Sequence, residues 1–365
     1  MRFFGREISD ESLISGIKKR WLTSNCGLIL DSKRIFHPVW RVDSILFDDL
    51  LSGIERRSGL SLGRRLAHAS SESEEWISIV SNNSFPKGRN PERWKNTRLD
   101  WLERGIGNFE LLDDDDDETR FLVKYPLNGP LCSGVFTANW ERATGKRHKF
   151  RWNHNNVESL ILMISEDDMK IPQPSKISLP WFYEKPIVSQ SDGLDFWESL
   201  EVESGKFWSI MGRRFAMINQ DLILRFEDYF LPHLEEIHEG RKDSFIWVGV
   251  DKKRSLLWTI FSDTIREIFY NQKHHILISG NTDWVYVSKR HLERQGLGKI
   301  DSVSSIDEFG GIEISFSSCY HPAIFSGIMS GCWERANGRS AKCIFSYGNN
   351  SNTIRLVSMN EICLD

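Results

Sequence analysis

Two stretches of this chain set a carboxylate beside a guanidinium on what the surrounding pattern predicts to be a helix: Trp140-Glu141-Arg142 and Trp333-Glu334-Arg335. A glutamate acting as base next to an arginine acting as anion clamp would make each a candidate acid–base site. Neighbouring helical positions diverge by about 100°, however, so the two groups cannot converge on one substrate unaided. Packing for the Trp and surface ion pairs for the Glu and Arg are the readings that the spacing favours. His233 and His238 stand five apart where a helical metal pair needs four, and His274-His275 are adjacent, so the ten histidines are expected to be exposed and solvated. The acidic run Asp113 to Glu118 lacks the alternating ligands and central glycine of a calcium loop. Mutual repulsion predicts it at the solvated tip of a hairpin. Cys26, Cys132, Cys319, Cys332, Cys343 and Cys363 form no CxxC pair and no metal-ligand spacing, which predicts reduced, mostly buried thiols. There is no GxSxG, no phosphate loop and no dinucleotide fingerprint; Gly105-Ile106-Gly107 lacks the third glycine and the strand-to-helix setting. No catalytic residue, metal site or cofactor is therefore expected.

The elements that carry these residues are repeated. Asn139-Trp140-Glu141-Arg142-Ala143-Thr144-Gly145-Lys146 returns as Cys332-Trp333-Glu334-Arg335-Ala336-Asn337-Gly338-Arg339, and Gly134 returns as Gly327. Leu102-Glu103-Arg104-Gly105-Ile106-Gly107 returns as Leu292-Glu293-Arg294-Gln295-Gly296-Leu297-Gly298. Upstream, Leu28 to Phe36 resembles Ala216 to Leu224; downstream, Val157 to Met163 resembles Thr353 to Met359. Four segments recurring in one order point to duplication. The expected division is a first unit over 1–165, a proline-rich linker over 166–190 and a second unit over 191–365. Pro172, Pro174, Pro180 and Pro186 deny the linker a continuous helix or central strand, while Trp181-Phe182-Tyr183 within it is apolar enough to dock on a neighbouring surface.

Each unit is expected to open with a hairpin, with Asp31-Ser32-Lys33 and Asn219-Gln220-Asp221 as its turns. A helix with apolar three-and-four spacing follows: Leu46, Phe47, Leu50, Leu51 and Ile54 in the first unit, and Phe230, Leu231, Leu234 and Ile237 in the second. Gly59 and Gly63 would give the next helix one smooth face. The Trp-Glu-Arg element reads as a helix over about 131–144 and 323–337, with Gly145 and Gly338 as left-handed C-cap residues and Gly134 and Gly327 on a face that another backbone can approach.

Charged residues at 27% and a net charge of −4 give no electrostatic reason to bind a phosphate backbone, so nucleic acid is excluded as the expected partner. Charges at the N-terminus interrupt any signal-peptide core, and no apolar run is long enough to span a bilayer. A cytoplasmic protein is expected.

The succession of hairpin, helix, Gly-bearing helix, Leu-Glu-Arg with Gly-x-Gly, strands, small-residue helix ending in Gly and final strand resembles the 4-vinyl reductase domain, a relative of the small subunits of vesicle-tethering TRAPP complexes. The carriers are Gly105-Ile106-Gly107 and Cys132-Ser133-Gly134 to Gly145, supported by Gly59 to Gly63. In the second copy they are Gly296-Leu297-Gly298 and Phe325-Ser326-Gly327 to Gly338. The resemblance implies an α/β (α+β) fold of two tandem units. Each would be an antiparallel sheet with helices packed on one side and an apolar pocket between, and the two would form an intramolecular pseudo-dimer in a monomeric chain. It also implies a non-catalytic module that binds a small apolar or aromatic ligand or serves in assembly. Enzymes or accessory factors of tetrapyrrole or aromatic reduction, and structural subunits of a larger complex, are the alternatives. Phe136, Trp140, Phe325 and Trp333 are the candidates for lining a pocket. Many domains of this family carry cysteines in the hairpin after the small-residue helix; here 148–158 has none and the matching region has only Cys343, which argues against a metal in either half.

Overall fold

The computed structural model describes residues 9–82, 86–115, 117–182, 185–189, 197–203, 205–348 and 351–360. The N-terminal Met1 to Glu7, Tyr183 and Cys363 lie outside them. The first half runs α1 (Asp10–Arg20), β1 (Trp21–Thr23), β2 (Ile29–Asp31), β3 (His37–Asp43), α2 (Ser44–Ser58), α3 (Gly63–Val80), α4 (Lys95–Arg104), β4 (Asn108–Asp114), β5 (Thr119–Lys124), α5 (Gly129–Thr144), β6 (Arg147–Asn156) and β7 (Ser159–Asp167). The second runs β8 (Leu200–Glu203), β9 (Phe207–Ile210), β10 (Arg213–Asn219), α6 (Gln220–Phe230), β11 (Phe245–Val248), α7 (Lys252–Asn271), α8 (Asn281–His291), β12 (Ser302–Ser305), β13 (Ile312–Phe316), α9 (Pro322–Asn337), β14 (Ala341–Tyr347) and β15 (Asn352–Ser358). The fold is mixed α/β, with antiparallel sheets and helices packed alongside them. Among the described residues no helix is long and apolar enough to cross a membrane.

Two of the sheets share a strand order. One sheet is β4-β5-β7-β6; another is β12-β13-β15-β14 with β11 added in parallel beside β14. A third, six-stranded sheet joins the halves through an antiparallel β3–β10 pair. Its register is symmetric about the Arg41–Met217 pair, since Asp43 faces Phe215 as Val39 faces Asn219, and Asp43 and Asn219 each precede a helix. Helices interlock in the same reciprocal way. α3 packs on α5 and α7 on α9 within the halves, while α2 packs on α7 and α6 on α3 between them.

Glycine positions follow from these contacts. A Cβ on Gly134 would sit 2.0 Å from the Ala67 carbonyl oxygen on α3, and one on Gly327 would sit 2.6 Å from that of Ser262 on α7. Gly105 and Gly296 have φ of +70° and +77°; a Cβ there would meet the carbonyl oxygens of Phe215 in the second half and Val39 in the first. Gly107 and Gly298 also take positive φ, as do Gly145 and Gly338, which end α5 and α9 in the left-handed conformation.

Three local expectations are corrected. Asn219-Gln220-Asp221 does not turn a hairpin but starts α6; the second hairpin turns at Met211-Gly212, so β3 corresponds to β10 and the Leu28-to-Ala216 alignment is out of register. Gly59 to Gly63 does not form a smooth helical face, because Gly59 at φ +67° terminates α2 and α3 begins at Gly63. Helix α6 ends at Phe230, so Leu234 and Ile237 are buried from a segment beyond the helix. The described residues of the acidic run do sit at the β4–β5 tip, with Asp114 held by Arg89 and Glu118 by Arg120 and Arg151, while Asp116 lies outside the described residues.

Gly134→Ala should destabilise the fold by about 2–3 kcal/mol through overpacking against α3. Gly145→Ala, which has open space around its Cβ, should cost about 1 kcal/mol through its left-handed backbone alone. Urea denaturation of the two variants checks the difference.

Candidate functional site

The repeated Trp-Glu-Arg element is structural in a way that corrects the surface-pair expectation. Glu141 and Glu334 are buried. Each accepts the backbone N–H at the start of the following strand, from His148 at 2.8 Å and from Ala341 at 2.9 Å. Arg147 completes the first carboxylate, and Arg241 with Arg266 the second. Trp140 donates to His148 Nε2 at 3.2 Å and Trp333 to the Gly310 carbonyl at 2.7 Å. Phe136 packs 4.5 Å from Phe121 and Phe325 packs 4.3 Å from Phe316, ring centre to ring centre. Phe136, Trp140, Phe325 and Trp333 are all fully buried in the hydrophobic core, and none lines the cleft described below. His148, His291 and His321 are buried rather than exposed, because each packs in an aromatic cluster. Among the described residues no group of His, Cys, Asp and Glu is placed to hold a metal ion.

Two other constellations carry chemistry. The first is a buried ionic network where α1, the end of β2, α3 and α4 meet. Arg20 pairs with Asp31, Asp100 and Glu103 at 2.7, 2.7 and 2.9 Å. Arg34 forks onto Glu74 at 2.8 and 3.0 Å and reaches Asp100 at 2.8 Å; Arg104 joins Glu74 at 2.8 Å, and Lys33 joins Glu103 at 2.7 Å. Burial alone would raise the pKa of Asp100, but Arg34, Arg20 and Arg104 hold it far below the usual carboxylate range. Glu74 is likewise held low by Arg34 and Arg104 against its burial. The cations Arg20, Lys33, Arg34 and Arg104 balance the carboxylates Asp31, Glu74, Asp100 and Glu103. A closed set of ionised pairs offers no general acid and no nucleophile; its work is to fix geometry.

What it fixes is the turn between β2 and β3. Asp31 accepts the Lys33 N–H through its side chain and those of Arg34 and Phe36 through its carbonyl. With Asp31 and Arg34 both anchored, Ile35 and Phe36 are held at φ +47° and +55°. Left-handed backbone is costly for a β-branched or bulky residue, and both side chains are half exposed, 55% and 50%.

They form the lip of the second constellation, a cleft of about 450 Å³ between this turn, α3, the start of α6, the segment 176–182 and Pro186. Trp76, Val80, Leu179, Phe182, Pro186 and Leu224 are among the apolar residues of its wall. The covering segment is tied down: Trp181 is buried against Trp258 and His321, Asn352 donates to its carbonyl at 3.0 Å, Arg225 donates to the Ser175 carbonyl at 2.7 Å, and Ile187 exchanges hydrogen bonds with Asn25. Trp181 thus docks as its apolar neighbourhood suggested.

Polar groups at the base come from the α6 N-terminus. Asp221 accepts from Arg225 Nε at 2.7 Å, and Arg225 also reaches Glu72 at 2.6 Å. Burial raises the Asp221 pKa, opposed by Arg225. His37 Nε2 accepts the Asp221 N–H at 3.3 Å, so the ring is neutral with its proton on Nδ1. Burial pushes the His37 pKa down to about 4, against the pull of Asp31. Gln220 donates Nε2 to the Tyr320 carbonyl at 2.6 Å, which orients its amide.

Sequence reasoning missed Ile35, Phe36, Trp76, Gln220 and Leu224, which are far apart in the chain. The available signal was two adjacent apolar residues in a turn, Ile35-Phe36, together with Trp181-Phe182 among prolines. The sequence matches no protein-family model, and no curated protein is similar to it.

Glu74→Gln should cost about 3–5 kcal/mol by leaving Arg34 and Arg104 short of a buried partner, measured by chemical denaturation. The unfolded chain protonates His37 near pH 6.5 and the folded one near 4, so stability is lost as pH falls through that window and not below it. His37→Gln keeps an acceptor for the Asp221 N–H and should remove ~2 kcal/mol of that loss between pH 6.5 and 4.

Proposed function

We propose that this chain is a non-catalytic small-molecule-binding protein, built from two units similar to the 4-vinyl reductase domain, and that the cleft under residues 176–182 and Pro186 holds an apolar or aromatic ligand. The observation that carries the reading is the cleft itself: about 450 Å³, walled by aromatic and aliphatic side chains, and rimmed by Ile35 and Phe36 in costly backbone. Its volume falls in the range of small-molecule sites, roughly 300–1,000 Å³. Non-catalytic binding is favoured because the titratable groups at its base are engaged, Asp221 with Arg225 and His37 with a helix N–H.

The two-unit reading draws support from the shared strand order, the symmetric β3–β10 register and the paired glycines. The halves would then be copies related by a local twofold axis, which places their mutual surface inside one chain and makes the protein a monomer. A cytoplasmic location agrees with Cys26, Cys132, Cys319, Cys332 and Cys343 being free and buried.

The test is titration with N-phenyl-1-naphthylamine, a neutral apolar fluorophore. Saturable one-to-one binding and a raised Tm are expected for the native sequence, with affinity lowered about tenfold in Phe36→Asp, corresponding to about 1.4 kcal/mol of lost contact. Asp tolerates positive φ, so that variant should fold normally. No binding by the native protein, or unchanged binding by Phe36→Asp, contradicts the proposal.

A further inference from the structure

Two of the residues that line the cleft, His37 and Gln220, have hydrogen-bonding capacity left over. His37 Nε2 receives the Asp221 N–H, which leaves Nδ1–H as the donor of the ring, and that donor has no partner among the described residues. Gln220, adjacent in sequence to Asp221, directs its amide nitrogen to Tyr320 and leaves Oε1 buried with no partner among the described residues. The side chain is only 1% exposed, and both residues line the cleft. Such a buried acceptor is destabilising until something donates to it.

Charge around this base is already arranged. Arg225 lies between Asp221 and Glu72, two carboxylates to one guanidinium, so an anion driven to the α6 end would meet net negative charge. A cation there would have to leave water for an otherwise apolar cleft. Lys176 stands at the exposed rim, where its ammonium keeps its hydration.

We infer that the cleft selects a neutral molecule, apolar over most of its surface, whose one hydroxyl or amide group is inserted toward α6 to donate to Gln220 Oε1 and accept from His37 Nδ1–H. This rests on the reading of the cleft as a ligand site and adds to it the chemical class of the ligand. A hydroxyl or amide fits because each donates and accepts at once; an ether or a carboxylate leaves one partner unsatisfied and a hydrocarbon leaves both.

The experiment is calorimetric titration of the full chain with naphthalene, 2-naphthol and 2-naphthoate, which share one ring system and differ in the polar end. The native protein should bind 2-naphthol at least tenfold more tightly than naphthalene, with 2-naphthoate weaker than 2-naphthol. Gln220→Met, which keeps the side-chain length and removes the amide, should erase the advantage of the hydroxyl. Equal affinity for naphthalene and 2-naphthol overturns the inference while leaving an apolar ligand site standing. Tightest binding of 2-naphthoate also overturns it, placing the head group at Lys176, as does a hydroxyl preference that survives Gln220→Met. If none of the three binds, the ligand site itself fails. Should Gln220→Met not fold, the order of the three affinities in the native protein decides the matter.

Discussion

Arg34 is the residue on which the rest of the site depends. A buried guanidinium is tolerated only where carboxylates surround it, and here Glu74 on α3 and Asp100 on α4 do so. Through that one side chain the turn after β2 is fastened to two helices, and Asp31 fastens its other end to Arg20 on α1. The turn therefore cannot relax into an easier backbone, and Ile35 and Phe36 stay at positive φ with their side chains over the cleft. His37, the next residue, is carried to the α6 N-terminus, where its ring nitrogen accepts a helix N–H that no other side chain caps. Structural electrostatics in the first half thereby sets both the apolar mouth and the polar base of a cleft completed by the second half.

That completion requires the halves to hold a fixed relation, which the β3–β10 pair supplies. Every backbone hydrogen bond in that pair joins one half to the other, and the reciprocal packing of α2 on α7 and α6 on α3 adds apolar contact on both sides. Gly105 and Gly296 let the loops after α4 and α8 lie against β10 and β3. Each glycine serves the strand of the opposite half. The segments 176–182 and 185–189 lie across this junction, anchored at Trp181 on the second half and at Asn25 on the first. A ligand beneath it would touch parts of the chain that the junction already holds together.

What could be read from sequence was whatever depends on local rules. The lengths of α5 and α9 and their glycine ends follow from apolar content and the left-handed C-cap, so the expected spans differ from the structure by only a residue or two. The close-approach role of Gly134 and Gly327 follows from small residues at helical spacing. The first hairpin alignment failed because Asn serves equally in a tight turn and before a helix; only the pairing of β10 with β3 distinguishes the two for Asn219. The repeated Glu was misplaced on the surface because its partners, the His148 and Ala341 N–H groups, become visible only once the next strand folds back over the helix. The cleft was illegible for a similar reason. Its wall draws on residues from Ile35 to Leu224, and no periodicity links them.

Hydrogen–deuterium exchange on the full chain, with and without saturating 2-naphthol, tests the location of binding most directly. Slower exchange confined to 32–38, 176–182 and the first turn of α6 is the expected result. Binding that leaves those segments unchanged, or that protects α5 and α9 instead, would contradict a ligand site at the junction of the two halves.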